Sequence, residues 1–336
     1  MKTLGLTLGK FAPLHKGHQF MIETALQEVD ELIVVIYETT VTLIPLHVRA
    51  NWIRRLYPEV RVIEAWDGPD GYSDDREHEI REEQYILGLL NGEQVTHFYS
   101  SEFYGGHMSL ALGAVDRRVD EAREQVPISA TMVRSDPYKY REFVSDIVYR
   151  DLITKVVFVG AMSTGKSTIT EALARRYCTT FASEYGRDYW TEHQVDRRIG
   201  LEAFDEIAVG HIEREEQAML AANRFLFIDT NAITTYMFAL DYHGRAPELL
   251  TRIALENAQR YDLFFLCDDD IPYDDTWDRS GDQKRYVFHK QIIADLKELR
   301  IPYITLRGSL EERIRKVDEV LAKFESYGNY FGELNG

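Results

Sequence analysis

The amino-acid sequence predicts an α/β protein with two domains, each built on a doubly wound parallel sheet. Three observations support this prediction. The length of 336 residues suits two domains of ordinary size. Short apolar segments alternate with segments of helical periodicity along both halves, a pattern typical of parallel sheets with helical crossovers. Finally, the first strand of each half is followed by a phosphate-binding loop, and the two loops are of different types.

The first half of the chain contains the elements of one such sheet. At the end of this half, after Pro137 and Tyr138, a helical run is predicted up to about Asp151. Ser129 and Thr131 are residue types that cap helix starts, so the segment 127–134 should lead a loop into a helix. The predicted strands are 3–8, 32–37, 60–65 and 97–100, and the predicted helices include 18–29, 48–56 and 80–90.

The second half repeats the pattern from a new apolar strand at 155–159. A helix is predicted at 169–177, directly after the phosphate-binding loop. Each predicted strand that stops at a polar residue places that residue at the carboxyl edge of the sheet, where open α/β sheets bind ligands. The remaining predicted strands are 179–183, 225–229, 263–267 and 303–306.

Composition excludes several classes of protein. The formal net charge of −17 disfavours binding along a nucleic-acid backbone, which needs a broad basic surface. The longest apolar runs are far shorter than the ~20 residues that a membrane-spanning helix needs. Cys178 and Cys267 lie far apart and lack metal-ligand spacing. We therefore expect a cytoplasmic protein without a targeting segment, a membrane span or a nucleic-acid partner.

The loop after the first strand is typical of enzymes that attack the α-phosphate of a nucleotide. His15 and His18 are three residues apart, so both imidazoles can donate hydrogen bonds to the phosphate oxygens on which charge gathers. Gly17 begins a helix whose N–H groups point at the anion. The predicted ATP-binding residues of this loop are Gly9, Lys10, Phe11 and Gly17.

A second loop, far along the chain, completes this predicted site. Ser129, Thr131 and Arg134 form a Ser-x-Thr-x-x-Arg pattern that would hold the β- and γ-phosphates and steady the departing pyrophosphate. The other histidines, His107 and His211 among them, lie outside any such pattern and are assigned no role.

The loop of the second half has complete Walker A spacing. Its backbone amides should wrap the phosphates of ATP, Lys166 should neutralise the β- and γ-oxygens, and the Ser167 hydroxyl should ligate Mg²⁺. Asp229 ends a buried strand and fits the role of orienting the metal or a water molecule. The predicted ATP-binding residues are Gly160, Ser163, Thr164, Gly165, Lys166, Ser167 and Thr168.

Transfer of the γ-phosphoryl group also requires a base near the acceptor hydroxyl and a closing lid. Glu184 is the predicted base, with Asp188 as the alternative, and Arg187 is expected to grip the acceptor. Residues 276–285 combine glycine, serine and cations as a lid would, and Arg279 and Arg285 are its predicted ATP-binding cations.

Aromatic residues flank the predicted acceptor pocket. Tyr185, Tyr189 and Trp190 would either stack on a planar, cationic ring or pack in the core, and the sequence leaves both open. The acids at 268–270 and 274–275 match no calcium-loop spacing, so we interpret them as a solvated loop.

These motifs define the predicted domains. Residues 1–152 are expected to form a Rossmann-like nucleotidyltransferase domain, and residues 153–325 a P-loop small-molecule kinase domain. A flexible tail is expected at 326–336.

In their order along the chain, these motifs resemble the bifunctional NadR-type family, which joins nicotinamide-nucleotide adenylyltransferase to ribosylnicotinamide kinase. The resemblance covers nearly the whole chain. It rests on the segments 9–18, 126–134, 160–168, 184–188 and 227–235.

The resemblance implies two ATP-dependent steps. ATP would phosphorylate the 5′-hydroxyl of ribosylnicotinamide, and the resulting mononucleotide would attack the α-phosphate of a second ATP, giving NAD and pyrophosphate. The expected partners are therefore ATP, ribosylnicotinamide, nicotinamide mononucleotide and NAD, with Mg²⁺ as cofactor. Assembly into a homo-oligomer and a transient association with a transporter stay open. The implied site residues are His15, His18, Ser129, Arg134, Lys166, Ser167 and Asp229.

The sequence departs from the family pattern in three places. Some relatives carry an N-terminal helix-turn-helix domain, whereas the first catalytic strand here is predicted from Thr3, so we expect no direct DNA binding. Some relatives have an aromatic residue where this chain has Ser183. The lid sequence from Trp277 to Ser280 also differs from the Asp-Gly-x-Arg version.

Other functions fit the same two loops. Sulfate activation also couples a histidine-loop transferase to a Walker-loop kinase, although its transferase domain is usually much larger than ~150 residues. A nucleotide-sensing regulatory protein with weak catalysis is a second alternative, against which the intact His15, His18 and Lys166 argue.

Overall fold

The computed structural model describes residues 2–69, 75–101, 106–196, 199–272 and 282–327. Contacts between Cα atoms divide them into two compact units, one running to Tyr149 and the other from Arg150 to Ser326. Within the described residues, each unit has a five-stranded sheet whose strands all run parallel. The predicted fold class is confirmed.

The sheet of the first unit has the order β3-β2-β1-β4-β5. The central strand β1 pairs with β2 on one side and β4 on the other, so the loop that follows β1 opens at the point where the strand order reverses. Ligands bind at such points in open α/β sheets. The strands are β1 Leu4–Gly9, β2 Glu31–Tyr37, β3 Arg61–Ala65, β4 His97–Ser100 and β5 Val115–Arg118.

Helices cover this sheet on both faces, which is why Leu32 to Ile36 of β2 are all buried rather than alternating. Leu6, Ile33 and Phe98 pack with residues of α3 and α4 in one hydrophobic cluster. The helices of this part of the chain are α1 Lys16–Glu28, α2 Leu46–Leu56, α3 Arg76–Leu90, α4 Gly106–Leu112, α5 Ala130–Ser135 and α6 Asp146–Leu152.

Two features of the first unit differ from the sequence prediction. Strand β5 was not expected, because only Val115 of its four residues is apolar and the strand is mostly exposed at the sheet edge. The helical run expected before Asp151 is instead a 3₁₀ turn, Arg141–Phe143, followed by α6. The expected capping of α5 is confirmed, since the Ser129 side chain accepts a hydrogen bond from the Met132 N–H.

The second sheet has the order β10-β9-β6-β8-β7, with β6 at its centre. The strand predicted at 179–183 is shorter than expected and covers only Phe181 and Ala182; before it, the hydroxyls of Thr179 and Thr180 donate to the carbonyls of Phe225 and Ala218. The strands are β6 Thr154–Val159, β7 Phe181–Ala182, β8 Phe225–Asp229, β9 Leu263–Cys267 and β10 Ile304–Leu306.

Phe158 and Phe227 of this sheet pack with Ile169 and Leu173 of α7 and with Val317 of α13 in the core of the second unit. Among the described residues, no helix combines the length and the apolar character needed to cross a membrane. The helices are α7 Lys166–Arg176, α8 Tyr185–His193, α9 Ala203–Ala221, α10 Ala232–His243, α11 Glu248–Glu256, α12 Asp282–Glu298 and α13 Leu310–Leu321.

Candidate active sites

The loop after β1 is held from behind by a buried arginine. Arg49 of α2 has no exposed surface and donates hydrogen bonds to the carbonyls of Lys10, Tyr37 and Ile44. Phe11 adopts a left-handed backbone conformation with φ of 44°. The loop therefore has a fixed course before it reaches the two histidines.

His15 and His18 form a stacked pair at the start of α1. Their ring centroids are 3.7 Å apart and the rings are inclined by 21°. The Nδ1 atom of each accepts the backbone N–H of the other, at 3.4 Å for His15 and 3.3 Å for His18. In a neutral imidazole this arrangement leaves the proton on Nε2. Both rings thus offer Nε2–H as a donor.

The surroundings keep both histidines neutral. Burial, with help from the cations of Arg123 and Arg134, lowers the pKa of His15 to about 4. The pKa of His18 is lowered well below its usual value, mainly by burial and then by electrostatic repulsion from the His15 ring, when protonated, and from Arg123. At neutral pH the pair can therefore donate hydrogen bonds without carrying charge.

The Ser-x-Thr-x-x-Arg segment and the two histidines line one cavity. Arg134 donates to the Ala12 carbonyl and, at 3.1 Å, to the Thr131 hydroxyl, and so ties the segment to the histidine loop. The cavity measures about 380 Å³. Every residue predicted for the first site lines it: Gly9, Lys10, Phe11, His15, Gly17, His18, Ser129, Thr131 and Arg134.

Sequence reasoning missed other residues of this cavity. Arg123 reaches it from a loop that Asp120 closes, since the Asp120 carboxylate accepts three backbone N–H groups at 2.9–3.0 Å. The cavity also takes in Glu82, to which the Tyr37 hydroxyl donates at 3.2 Å, and His107. In the sequence these residues resemble ordinary solvated charges, and no spacing links them to the histidine loop.

The Walker loop follows β6 and depends on glycine at two points. Gly160 has φ of 148°, and a Cβ there would lie 2.7 Å from the Cys267 carbonyl oxygen. Gly165 has φ of 81° and is the N-cap of α7, whose first N–H groups are suited to bind an anion. Lys166 is buried and donates to the Ala161 carbonyl at 2.9 Å. Ser167 and Thr168 lie in the first turn of α7.

Two carboxylates approach this loop from neighbouring strands. Asp229 is the buried last residue of β8, and Glu184 lies between β7 and α8. Burial and the nearby charge of Asp229 raise the pKa of Glu184, while Lys166 opposes the shift. Arg187 forms an ion pair with Glu184 at 3.0 Å. The structure thus brings both predicted acids together beside Lys166.

Asp188, the alternative base, lies elsewhere. Its side chain is 57% exposed and pairs with Arg214 at 2.8 Å. It does not line the cavity that Glu184 lines. The geometry therefore favours Glu184 as the base.

An aromatic cavity of about 150 Å³ opens beside Lys166 and Glu184. Trp190 and Arg187 line it as predicted. Tyr185 and Tyr189 do not: the Tyr185 ring occupies the space above Gly210, and the Tyr189 hydroxyl donates to Glu206 at 2.8 Å. The lining residues that the sequence did not indicate include Ile199, Phe204, Ile207, His211, Phe238 and Tyr242.

Comparisons with known proteins match both halves. The family described as Cytidylyltransferase-like matches residues 6–136, and the AAA domain family matches residues 155–313. The "Trifunctional NAD biosynthesis/regulator protein NadR" of Salmonella typhimurium is 29% identical over an alignment of 330 residues that covers 91% of this chain and 79% of that protein. The Escherichia coli protein of the same name is 29% identical over 90% of this chain and 78% of its own length.

The chain is therefore similar in sequence to the NadR proteins over most of its length. Its fold agrees with a crystal structure of NadR protein in complex with NAD and AMP-PNP, at a TM-score of 0.58 and 21% identity, covering 97% of this chain and 98% of that one. A crystal structure of NadR protein in complex with NR also has a TM-score of 0.58, covering 95% of this chain and 96% of that one.

Only part of the predicted lid, 276–285, lies within the described residues. Arg279 and the rest of 276–281 lie outside the described residues. Arg285 is 2% exposed and donates to the carbonyls of Asp269 and Ile271. The structure therefore places Arg285 in the interior, supporting the loop after β9, rather than on a lid over ATP.

Two of the acids after β9 form ion pairs that the sequence did not indicate. Asp268 accepts from His289 at 2.9 Å and from Arg307 at 2.5 Å, and its side chain is 13% exposed. Asp270 accepts from the Gly308 N–H at 2.6 Å and pairs with Arg313. The prediction of a solvated side chain therefore fails for Asp268, whose cations come from distant elements, whereas Asp270 is exposed as predicted. Asp274 and Asp275 lie outside the described residues.

Proposed function

We propose that this NadR-type chain makes NAD from ribosylnicotinamide in two ATP-dependent steps. Residues 153–325 would phosphorylate the nucleoside, and residues 1–152 would adenylate the mononucleotide. One observation carries the proposal. The chain aligns with a NadR protein over 91% of its length, and in each unit separately predicted reactive residues line one cavity.

The adenylyl transfer needs hydrogen-bond donors rather than a base. A phosphate oxygen of nicotinamide mononucleotide, already ionised at neutral pH, forms a bond to the α-phosphorus of ATP. The bond from that phosphorus to the β-phosphate oxygen breaks, and pyrophosphate leaves. The neutral Nε2–H groups of His15 and His18 suit the α-phosphate oxygens, whose charge grows in the transition state. Ser129, Thr131 and Arg134 would bind the leaving pyrophosphate.

The kinase step does need a base. The 5′-hydroxyl oxygen of ribosylnicotinamide forms a bond to the γ-phosphorus, ADP leaves, and the hydroxyl proton passes to a base. Glu184 suits this role, because its raised pKa makes the carboxylate a better proton acceptor at neutral pH. Lys166 would neutralise the β- and γ-oxygens, and Trp190 offers a face to the cationic pyridinium ring.

A magnesium ion fits the kinase site. Ser167 in the first turn of α7 and Asp229 at the end of β8 supply the hard oxygen ligands that Mg²⁺ prefers. When bound, the ion would help to neutralise the negative charge of the phosphates during transfer.

The proposal also covers partners and location. The partners would be ATP, ribosylnicotinamide, nicotinamide mononucleotide and NAD, and no nucleic acid is needed. The free thiols of Cys178 and Cys267 support a reducing, cytoplasmic environment.

Two half-reactions and two variants test the proposal. The full chain is incubated with ATP, Mg²⁺ and either ribosylnicotinamide or nicotinamide mononucleotide, and products are separated by chromatography. His18→Ala should lower NAD formation from the mononucleotide by about 10²–10³-fold and spare the kinase step. Lys166→Ala should abolish phosphorylation of ribosylnicotinamide and spare NAD formation from the supplied mononucleotide.

Each outcome has a clear meaning. A wild-type chain that makes no NAD from the mononucleotide would rule out the first assignment. Loss of both activities in either variant would show that the two sites do not act separately. A parallel incubation with sulfate and ATP should give no adenylated product, and turnover there would favour sulfate activation.

A further inference from the structure

Arg313 is a buried cation at the junction of three loops in the second unit. It lies in α13, near the end of the described chain, and is 3% exposed. Its guanidinium donates to backbone carbonyls in the loops that follow β6, β9 and β10, and to one carboxylate. These acceptors are Thr164 O at 2.6 Å, Gly308 O at 3.0 Å, Asp268 O at 3.2 Å and the carboxylate of Asp270.

Burying a guanidinium costs free energy unless hydrogen-bond acceptors or an opposite charge replace the water that it loses. Here the compensation comes mainly from carbonyls of loops that leave the carboxyl ends of parallel strands. Asp270 is itself fixed, since it also accepts the Gly308 N–H at 2.6 Å. Arg313 therefore ties the Walker loop to two neighbouring loops whose own strands pair in the sheet.

The contact with Thr164 has a direct consequence for phosphate binding. The Thr164 carbonyl and the Gly165 N–H belong to one planar trans peptide, so they point in opposite directions. Fixing the carbonyl on Arg313 fixes the direction of the Gly165 N–H on the other side of the loop. Backbone N–H groups of a Walker loop are what hold the phosphates. Gly165, with φ of 81°, would otherwise have unusual freedom to turn.

We propose that Arg313 is a positioning residue for the kinase site, which sets the orientation of the Thr164–Gly165 peptide and so the affinity for the phosphates of ATP. The proposal rests on the proposed kinase function and adds to it a residue that does not line the acceptor cavity. It acts through the backbone of the loop and not through contact with substrate.

The test compares two equal substitutions on one helix. Arg313→Met removes the buried contact, whereas Arg315→Met makes the same change at an exposed position two residues later. Both full-length variants are assayed for the KM of ATP in ribosylnicotinamide phosphorylation and, by calorimetric titration with Mg²⁺ present, for the Kd of ADP. NAD formation from the mononucleotide serves as an internal control.

Arg313→Met should raise the KM of ATP and the Kd of ADP at least about tenfold, with a smaller change in kcat. Arg315→Met should match the wild type. For Arg313→Lys, the KM of ATP and the Kd of ADP should lie between those of the wild type and Arg313→Met, because a single ammonium cannot reach all the acceptors that the planar guanidinium reaches. If Arg313→Met does not fold, Arg313→Lys carries the test.

A merely structural role predicts a different result. It would lower the active fraction, and so kcat, without changing KM or Kd, and that outcome would overturn the proposal. A wild-type chain that binds ADP but does not phosphorylate ribosylnicotinamide would instead overturn the proposed kinase function. The ADP titration would then still decide the role of Arg313.

Discussion

Replacing Gly160 by alanine should inactivate the kinase site and leave the transferase site intact. The Cβ of the new side chain would lie 2.7 Å from the carbonyl oxygen of Cys267 and 2.9 Å from the Thr164 hydroxyl. The first of these atoms is backbone of β9, which pairs with β6 on one side and β10 on the other. Since β9 cannot move without its neighbours, the Walker loop itself must shift.

The magnitude follows from two costs. A non-glycine residue at φ of 148° carries backbone strain of about 1–3 kcal/mol. Forcing an extra carbon into a closely packed site costs about 1–3 kcal/mol more. Even the lower sum, about 2 kcal/mol, corresponds to a roughly 30-fold loss in kcat/KM if the loop must recover its shape to bind ATP.

The assay measures kcat/KM for ribosylnicotinamide phosphorylation and, in the same preparation, NAD formation from the mononucleotide. Gly160→Ala should lose the first by at least about 30-fold and keep the second within about twofold. Gly88→Ala is the matched control, because nothing lies within 4 Å of its Cβ position in α3. It should stabilise the chain by about 1 kcal/mol and leave both activities unchanged.

Kinase activity of Gly160→Ala within a factor of two of the wild type would refute this reasoning. It would mean that the loop reaches its phosphate-binding shape without the close approach to Cys267 that the structure contains.

Three further predictions concern the second unit. Glu184→Gln should lower the kcat of the kinase by about 10²–10⁴-fold with little change in the KM of ATP, whereas Asp188→Asn should leave kcat within about threefold; equal losses in the two variants would contradict the choice of base. Gly210→Ala should displace Tyr185, whose ring lies 2.1 Å from the added Cβ, and lower the thermal midpoint of unfolding; an unchanged midpoint would argue against this packing. Burial lowers the pKa of His211 to about 3, so its contribution to stability is complete above pH 6.5 and declines as the pH falls from there towards 3. The free energy of unfolding in urea should fall between pH 7 and pH 5, and His211→Gln should make that fall smaller by about 2 kcal/mol; an equal pH dependence in the variant would contradict this.

The two phosphate-binding loops could be predicted from the sequence because their chemistry is local. The histidine loop and the Walker loop each combine a strand, a glycine-containing turn and a helix start within about a dozen residues. Every residue predicted for the first cavity lines it, since the Ser-x-Thr-x-x-Arg segment carries its own capping signal at Ser129. Strand ends also located Asp229 and Glu184 at one sheet edge.

Contacts between distant elements could not be predicted in this way. Tyr185 and Tyr189 lie about one turn apart on α8, close in sequence to Trp190. Their contacts with α9 direct them away from the cavity that Trp190 lines, and the local sequence does not indicate those contacts. Likewise, Arg313 has the sequence context of a solvated helix residue. Apart from Gly308, its partners lie 43–149 residues away in the chain, which no local pattern reveals.

The order of the two steps is the central claim, and product stoichiometry tests it most directly. The full chain is supplied with ribosylnicotinamide, ATP and Mg²⁺, and all nucleotides and pyrophosphate are quantified over time. We predict that nicotinamide mononucleotide forms before NAD, and that each NAD is accompanied by one ADP and one pyrophosphate. NAD formation without ADP, or accumulation of the mononucleotide with no NAD, would contradict the account.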